Sequence, residues 1–177
     1  MKVVGLDISV GSPGFADDER AWSVKVPAKL SGPERLEFLR KTVRMVTTPP
    51  PDLVVIESYF LSARSPTAVI PLAEVGGVIR LTLWRAGIPF VDVAPTRLKQ
   101  FATGKGQAGK GDMILAAFKR GRVEFTDKEN DACDAWWLRQ MGLHAYGLPG
   151  AVPIPQTQSA VLKGMEWPEL KGAEVPA

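Results

Sequence analysis

At 177 residues the chain can bury one sizeable core by itself, so it needs neither a disulfide framework nor a structural metal to fold. Its 45% hydrophobic and 23% charged residues match ordinary globular composition, and no apolar run approaches the length of a membrane span. The single cysteine, Cys133, excludes an internal disulfide and fits a reducing cytosol. The opening "MKVVGLDISV" is interrupted too early by Asp7 to act as a secretion signal, so a cytoplasmic protein is expected.

In chain order, residues 2–9 read as a β-branched strand, and "VGSPG" as the turn that sends the chain back. "AWSVKVP" alternates Trp22, Val24 and Val26 with polar neighbours, which predicts a third strand with one wet face. "SGPERLEFLRKTVRMV" opens with a capping box from Ser31 to Glu34 and carries Leu36, Leu39, Val43 and Val46 at helical spacing. "LVVIE" is a continuous apolar run that suits a strand buried on both faces. The following segment predicts a helix that starts or kinks near Pro71 and stops at Gly87; Ala73, Gly76 and Gly77 leave one side open to another backbone or a ligand.

"IPFVDVA" is the next strand, "PTRLKQFA" a short helix, and "TGKGQAGKG" a flexible basic loop before the helix "DMILAAFKRG". "TDKENDACDAWWLRQMG" forms a last helix with a box from Thr126 to Glu129, placing Asp131 and Asp134 in its early turns. Beyond about residue 148 proline replaces periodicity, which predicts a tail draped on the surface or disordered, with Trp167 as an anchor. The domain division is therefore a unit over 1–147 and a proline-rich tail over 148–177. The other tryptophans, and Cys133, are expected in the core, and His144 is given no role. Together the elements make a mixed sheet of about five strands with helices on both faces.

Charge is unevenly spread. Between Arg80 and Arg122 nine basic residues face only Asp92 and Asp112, a local balance of +7 that suits either a polyanion or a solvated surface. Functional groups of open α/β sheets gather at the carboxyl ends of parallel strands, where Asp7 and Glu57 both fall. If their strands are neighbours and the last helix crosses the same edge, Asp131 and Asp134 join them. Two such charges ~4 Å apart repel by ~4 kcal/mol at an effective dielectric of ~20, so protons or divalent cations must accompany them. Oxygen donors without a cysteine pair or histidine cluster favour Mg²⁺ or Mn²⁺, and two such ions suit phosphodiester hydrolysis. Any one of these acids alone reads as a cap or a solvated charge; the set in chain order carries the argument.

"GLDIS" with Asp7, "VVIESYF" with Glu57, "LAEVGGVI", "PTRLKQFATGKGQAGKGDM" and "ENDACDAWWL" with Asp131 and Asp134 resemble the RuvC Holliday-junction resolvases of the ribonuclease-H-like superfamily, as a phage or otherwise divergent member. The likeness covers about residues 1–146. It implies an α/β fold with a mixed five-stranded sheet, its first three strands antiparallel and the rest parallel, flanked by helices on both faces. It further implies a homodimer that resolves four-way DNA junctions by symmetric nicking, with Asp7, Glu57, Asp131 and Asp134 holding two Mg²⁺ or Mn²⁺ ions per site. Phe60, with Tyr59 beside it, matches the aromatic that stacks into the opened junction, and a base offers a π-face for that. Lys99 and Lys110 match the basic positions near the scissile phosphate, Lys110 within the catalytic set; Arg97 and Lys105 complete the expected DNA-binding residues. The chain departs from the family where "DISVGSPG" replaces the usual proline-glycine-serine or threonine after the first aspartate.

Two other classes compete. "GKGQAGKGD" approaches a phosphate-binding P-loop, but Gly111 stands where a metal-ligating hydroxyl belongs and a helix precedes the loop, so no nucleotide cofactor is expected. The alternatives to junction resolution are a ribonuclease-H-like nuclease on other branched DNA or RNA, and a protein that binds branched nucleic acid without cutting it.

Overall fold

The computed structural model describes residues 1–58 and 66–170. Its elements are β1 (Val3–Asp7), β2 (Gly14–Ala16), β3 (Ala21–Ser23), α1 (Gly32–Val46), β4 (Leu53–Glu57), α2 (Pro66–Arg85), β5 (Phe90–Val93), α3 (Pro95–Thr103), α4 (Lys110–Gly121), α5 (Asn130–Ala145) and α6 (Gln156–Ser159), followed by a 3₁₀ turn over Ala160–Leu162. The sheet runs β3-β2-β1-β4-β5. β1 pairs antiparallel with β2 and β2 with β3, whereas β4 lies parallel to both β1 and β5. This is the mixed five-stranded sheet, antiparallel over its first three strands and then parallel, that the resemblance implied.

Side-chain alternation divides the core into two layers. Val3, Leu53, Val55, Val91 and Val93 point to one face, where α5 packs with α3 and α4 behind it. Val4, Leu6, Ile8, Val54 and Ile56 point to the other, under α1 and α2. β4 is covered on both faces, as its unbroken apolar run requires: Leu53, Val54, Val55 and Ile56 are all fully buried. Each such side chain contributes about 1.5–3 kcal/mol relative to exposure. No helix among the described residues is long and apolar enough to cross a membrane.

Several local expectations are corrected. Ser31 precedes α1 but makes no side-chain cap, so that helix starts on Pro33 in its first turn rather than on a capping box. The Thr126–Glu129 pair does form, with the Glu129 carboxylate accepting from the Thr126 N–H and hydroxyl at 2.8 Å each, but it closes the turn before α5 rather than capping it. α2 begins at Pro66 and runs through Pro71, which lies in an early turn and forfeits one ladder bond. The third strand is regular only to Ser23; Val24 and Val26 continue the pairing loosely, donating to the carbonyls of Pro13 (3.0 Å) and Gly11 (2.8 Å). Gly14, read as turn punctuation, belongs to β2.

Trp136 and Trp137 are in the core, with Trp137 Nε1 donating to the Met113 carbonyl at 3.2 Å. Trp84 is the exception among the tryptophans expected there: it is 71% exposed on α2. Ile70 and Leu81 are also exposed, and helical geometry places them with Gly77 and Trp84 on one face. A side chain at Gly77 would meet nothing within 4 Å, so this opening faces away from the chain's own core.

The segment after α5 is draped on the molecule as far as Leu170. Tyr146 donates to the Pro168 carbonyl at 2.6 Å and packs edge-on against Trp167, whose Nε1 donates to Leu162. Gln140 accepts from the Val152 N–H at 2.9 Å, and His144 Nε2 lies 2.7 Å from the Val152 carbonyl.

Candidate metal centre

Strand pairing brings the first two acids together. Leu6 is opposite Ile56 in the parallel β1–β4 pair, so Asp7 and Glu57 are neighbours at the next register position. The two-residue period directs both onto the face bearing Val3, Leu53 and Val55, which α5 covers. α5 supplies Asp131 from its first turn and Asp134 one turn later.

Two glycines permit that contact. A Cβ on Gly5 would sit 1.9 Å from the Ala135 carbonyl oxygen, and a Cβ on Gly14 1.9 Å from the Asp131 carbonyl oxygen. α5 therefore rests on bare backbone of β1 and β2. This is the close helix–sheet approach that glycine allows and any larger residue forbids. The sequence had directed attention to the glycines of α2 instead; the signal for Gly5 and Gly14 was their position within an apolar strand and its hairpin partner.

The four carboxylates act on one another electrostatically. Burial, then the Glu57 and Asp134 charges, hold the Asp7 pKa well above its ordinary value. Asp7 and Glu57 also interact through a side-chain hydrogen bond, which adds to the rise at Asp7. Glu57 is itself raised by burial, with the bond from Asp7 and the charge of Lys99 opposing the rise. Asp134 is pushed up to about 7, first by burial and then by Glu57 and Asp131, against the pull of Lys99 and Lys110.

Among the described residues no three acidic, histidine or cysteine side chains are already gathered in metal-holding geometry. The donor chemistry fits a hard divalent cation: every group is a carboxylate, and the pKa values raised first by burial and then by neighbouring acids mark poorly solvated anions that a cation would stabilise. Cys133, between the two aspartates, is buried with its thiol pKa raised, so it stays a neutral hydrophobe.

The basic candidates separate into groups. Lys99 on α3 acts on Glu57 and Asp134, and Lys110 acts on Asp134. Lys110 was expected in a flexible loop, but it is the first residue of α4, where the Asp112 carboxylate accepts the Gly109 N–H at 3.0 Å and fixes the helix start. Lys105 is exposed on the α3–α4 connection beside a cleft of about 400 Å³ that also borders Lys119 and Arg120. Arg97 turns toward the C-terminal segment, its Nη1 donating to the Val161 carbonyl at 3.0 Å. Tyr59 and Phe60 lie outside the described residues.

An antiparallel three-strand meander continued by parallel strands, with acids at the ends of β1 and β4 and on a helix laid across them, defines a ribonuclease-H-like nuclease fold. Thermus thermophilus RuvC solved in complex with a Holliday junction substrate superposes with a TM-score of 0.65 at 22% identity, over 86% of this chain and 98% of that one. Residues 22–138 match the family model described as crossover junction endodeoxyribonuclease RuvC. The RuvC of Syntrophomonas wolfei is 32% identical over 169 residues, covering 90% of this chain and 98% of its own, and that of Chloroflexus aggregans is 30% identical over 159 residues, covering 84% and 95%. The chain belongs to the RuvC family.

Proposed function

We propose that this protein is a divalent-metal-dependent endonuclease that resolves four-way DNA junctions, acting in the cytoplasm as a homodimer that nicks two opposed strands symmetrically. The carrying observation is that Asp7 and Glu57 stand side by side at the ends of β1 and β4, under the turns of α5 that carry Asp131 and Asp134, with Lys99 and Lys110 as cations that act on Glu57 and Asp134. Family membership and the likeness to a RuvC bound to a Holliday junction support the substrate class.

The four acids would hold two Mg²⁺ or Mn²⁺ ions, which supply an activated water and charge stabilisation for the leaving oxygen. Asp7 and Glu57 give rigid anchors because each terminates a buried strand. Asp131 and Asp134 come from a helix wedged against bare backbone, so their distance from Asp7 and Glu57 is set by packing. Lys99 and Lys110 place positive charge beside the reacting phosphate, as do Arg97 and Lys105 for the flanking backbone. Phe60, with Tyr59, would stack on bases to hold the junction open. The nuclease unit is 1–147, with 148–177 as its appended tail.

Support for the homodimer comes from α2, whose outward face carries Ile70, Leu81 and Trp84 around the open Gly77. Three large exposed apolar side chains on one helix face suit a second copy, and the junction presents two equivalent strands to two copies. The deciding experiment is cleavage of a synthetic four-way junction against linear duplex and flaps during a Mg²⁺ titration. Metal-dependent cutting confined to the junction is expected, with Asp7→Asn abolishing cleavage while junction binding survives. A junction bound tightly but left intact at every metal concentration would show a binding protein instead.

A further inference from the structure

We infer that Gln158, in the C-terminal segment beyond the residues matching the family model, is a positioning residue that clamps α3 to α4 and so holds Lys99 and Lys110 toward the acids. The inference rests on the proposed nuclease reading for its functional consequence.

Gln158 is a polar side chain with only 6% exposure, on a short helix that carries little core of its own. Its Oε1 accepts from Arg120 Nη2 on α4 at 2.8 Å, and the same guanidinium donates through Nη1 to the Pro153 carbonyl at 3.2 Å. Its Nε2 lies against Gly104, 2.9 Å from where a Cβ there would stand. Gly104 ends α3 in the left-handed region at φ 84°, donating back to the Gln100 carbonyl at 2.8 Å. One amide thus touches the end of α3 and the third turn of α4.

Residues 104–109 between those helices contain three glycines and have little stiffness of their own. Lys110 follows directly, and Lys99 lies one turn before the connection. A second tie, from Arg97 to the Val161 carbonyl, fixes α3 to the same C-terminal segment. Besides Gln158, residues 104–109 are held by their own turn contacts, by the buried Ala108 and by Gly106 against Thr96, so releasing Gln158 loosens the connection, and a displacement of about 1 Å at a catalytic group suffices to slow a reaction on the order of 100-fold.

The test uses the full-length chain and a synthetic four-way junction under single-turnover conditions with Mg²⁺. Gln158→Ala is expected to slow cleavage about 10-fold at saturating protein without changing junction affinity, and Gln158→Glu, which keeps the acceptor for Arg120, to restore most of the rate. In a Lys99→Ala/Lys110→Ala background Gln158→Ala should cost less than about twofold, because the effect passes through these two lysines. Equal, additive losses in both backgrounds would reduce Gln158 to a stabilising contact and overturn the inference. Amide hydrogen exchange across residues 104–112 supplies an arm independent of activity: about 10-fold faster exchange is expected in Gln158→Ala, and unchanged exchange overturns the clamp whatever the enzyme cuts. If Gln158→Ala fails to fold, Arg120→Gln breaks the same bond from the other side and takes its place. A wild-type protein that leaves junctions intact would refute the nuclease reading alone, with the exchange arm still deciding the clamp.

Discussion

Gly14→Ala tests the packing that brings the acids together. The added Cβ would sit 1.9 Å from the Asp131 carbonyl oxygen, 2.3 Å from its carbon and 3.0 Å from the Ala132 nitrogen. Ordinary contact begins at 3.4 Å, so β2 and the start of α5 must separate by about 1.5 Å, and every atom in the way is backbone. Overpacking of this kind typically costs about 1–3 kcal/mol of stability, and the shift falls on the turn that carries Asp131. A displacement of that size removes on the order of 100-fold in rate. Gly11→Ala, three residues away and meeting nothing within 4 Å, is the control and should stay within about 0.5 kcal/mol of wild type. Thermal unfolding and junction cleavage well below the melting temperature report the two effects. A Gly14→Ala protein with wild-type melting and wild-type Mg²⁺-dependent cleavage would refute the claim that α5 is seated on bare strand backbone.

Metal binding should be linked to pH through Asp134. Its folded pKa of about 7 exceeds the ordinary 3.8, so its contribution to the stability of the metal-free fold is fully present below the lower value and is lost as pH rises through the upper one. At about 1.4 kcal/mol per pH unit the ceiling is about 4 kcal/mol, lowered by the water that reaches this half-buried carboxylate. Mg²⁺ should therefore raise Tm more at about pH 8 than at about pH 5.5, and Asp134→Asn should flatten the difference; equal shifts at both pH values in wild type would contradict it. Trp84→Glu should weaken self-association by about 30-fold or more, as for the loss of a buried aromatic anchor, and an unchanged sedimentation equilibrium would remove α2 as the dimer surface. Phe60→Ala should slow cleavage of fully paired junctions more than of junctions with unpaired centres, whereas equal rates would leave Phe60 without a stacking role.

Periodicity made the framework legible in advance. The unbroken apolar run of β4 and the β-branched residues of β1 gave buried strands, and the parallel part of the sheet was what the family resemblance implied. Asp7 and Glu57 were readable as candidate site residues because strand ends are where such groups collect, and the three-residue spacing of Asp131 and Asp134 placed them on one side of a helix. Those inferences depend only on local backbone geometry, which a short stretch of sequence specifies.

Contacts between distant segments were decided by the tertiary structure. Nothing around "SPGF" says that Gly14 lies under Asp131, since the fact depends on how closely a helix more than a hundred residues later can approach. Trp84 has the composition of a core residue but faces outward, because the opposite side of α2, through Val75, Ile79 and Leu83, already fills the layer beneath it. Gln158 reads as one more polar residue of a proline-rich tail until the segment folds back over α3 and α4. Burial of a polar side chain is stable only where partners are supplied, and those partners come from elements that sequence proximity cannot identify.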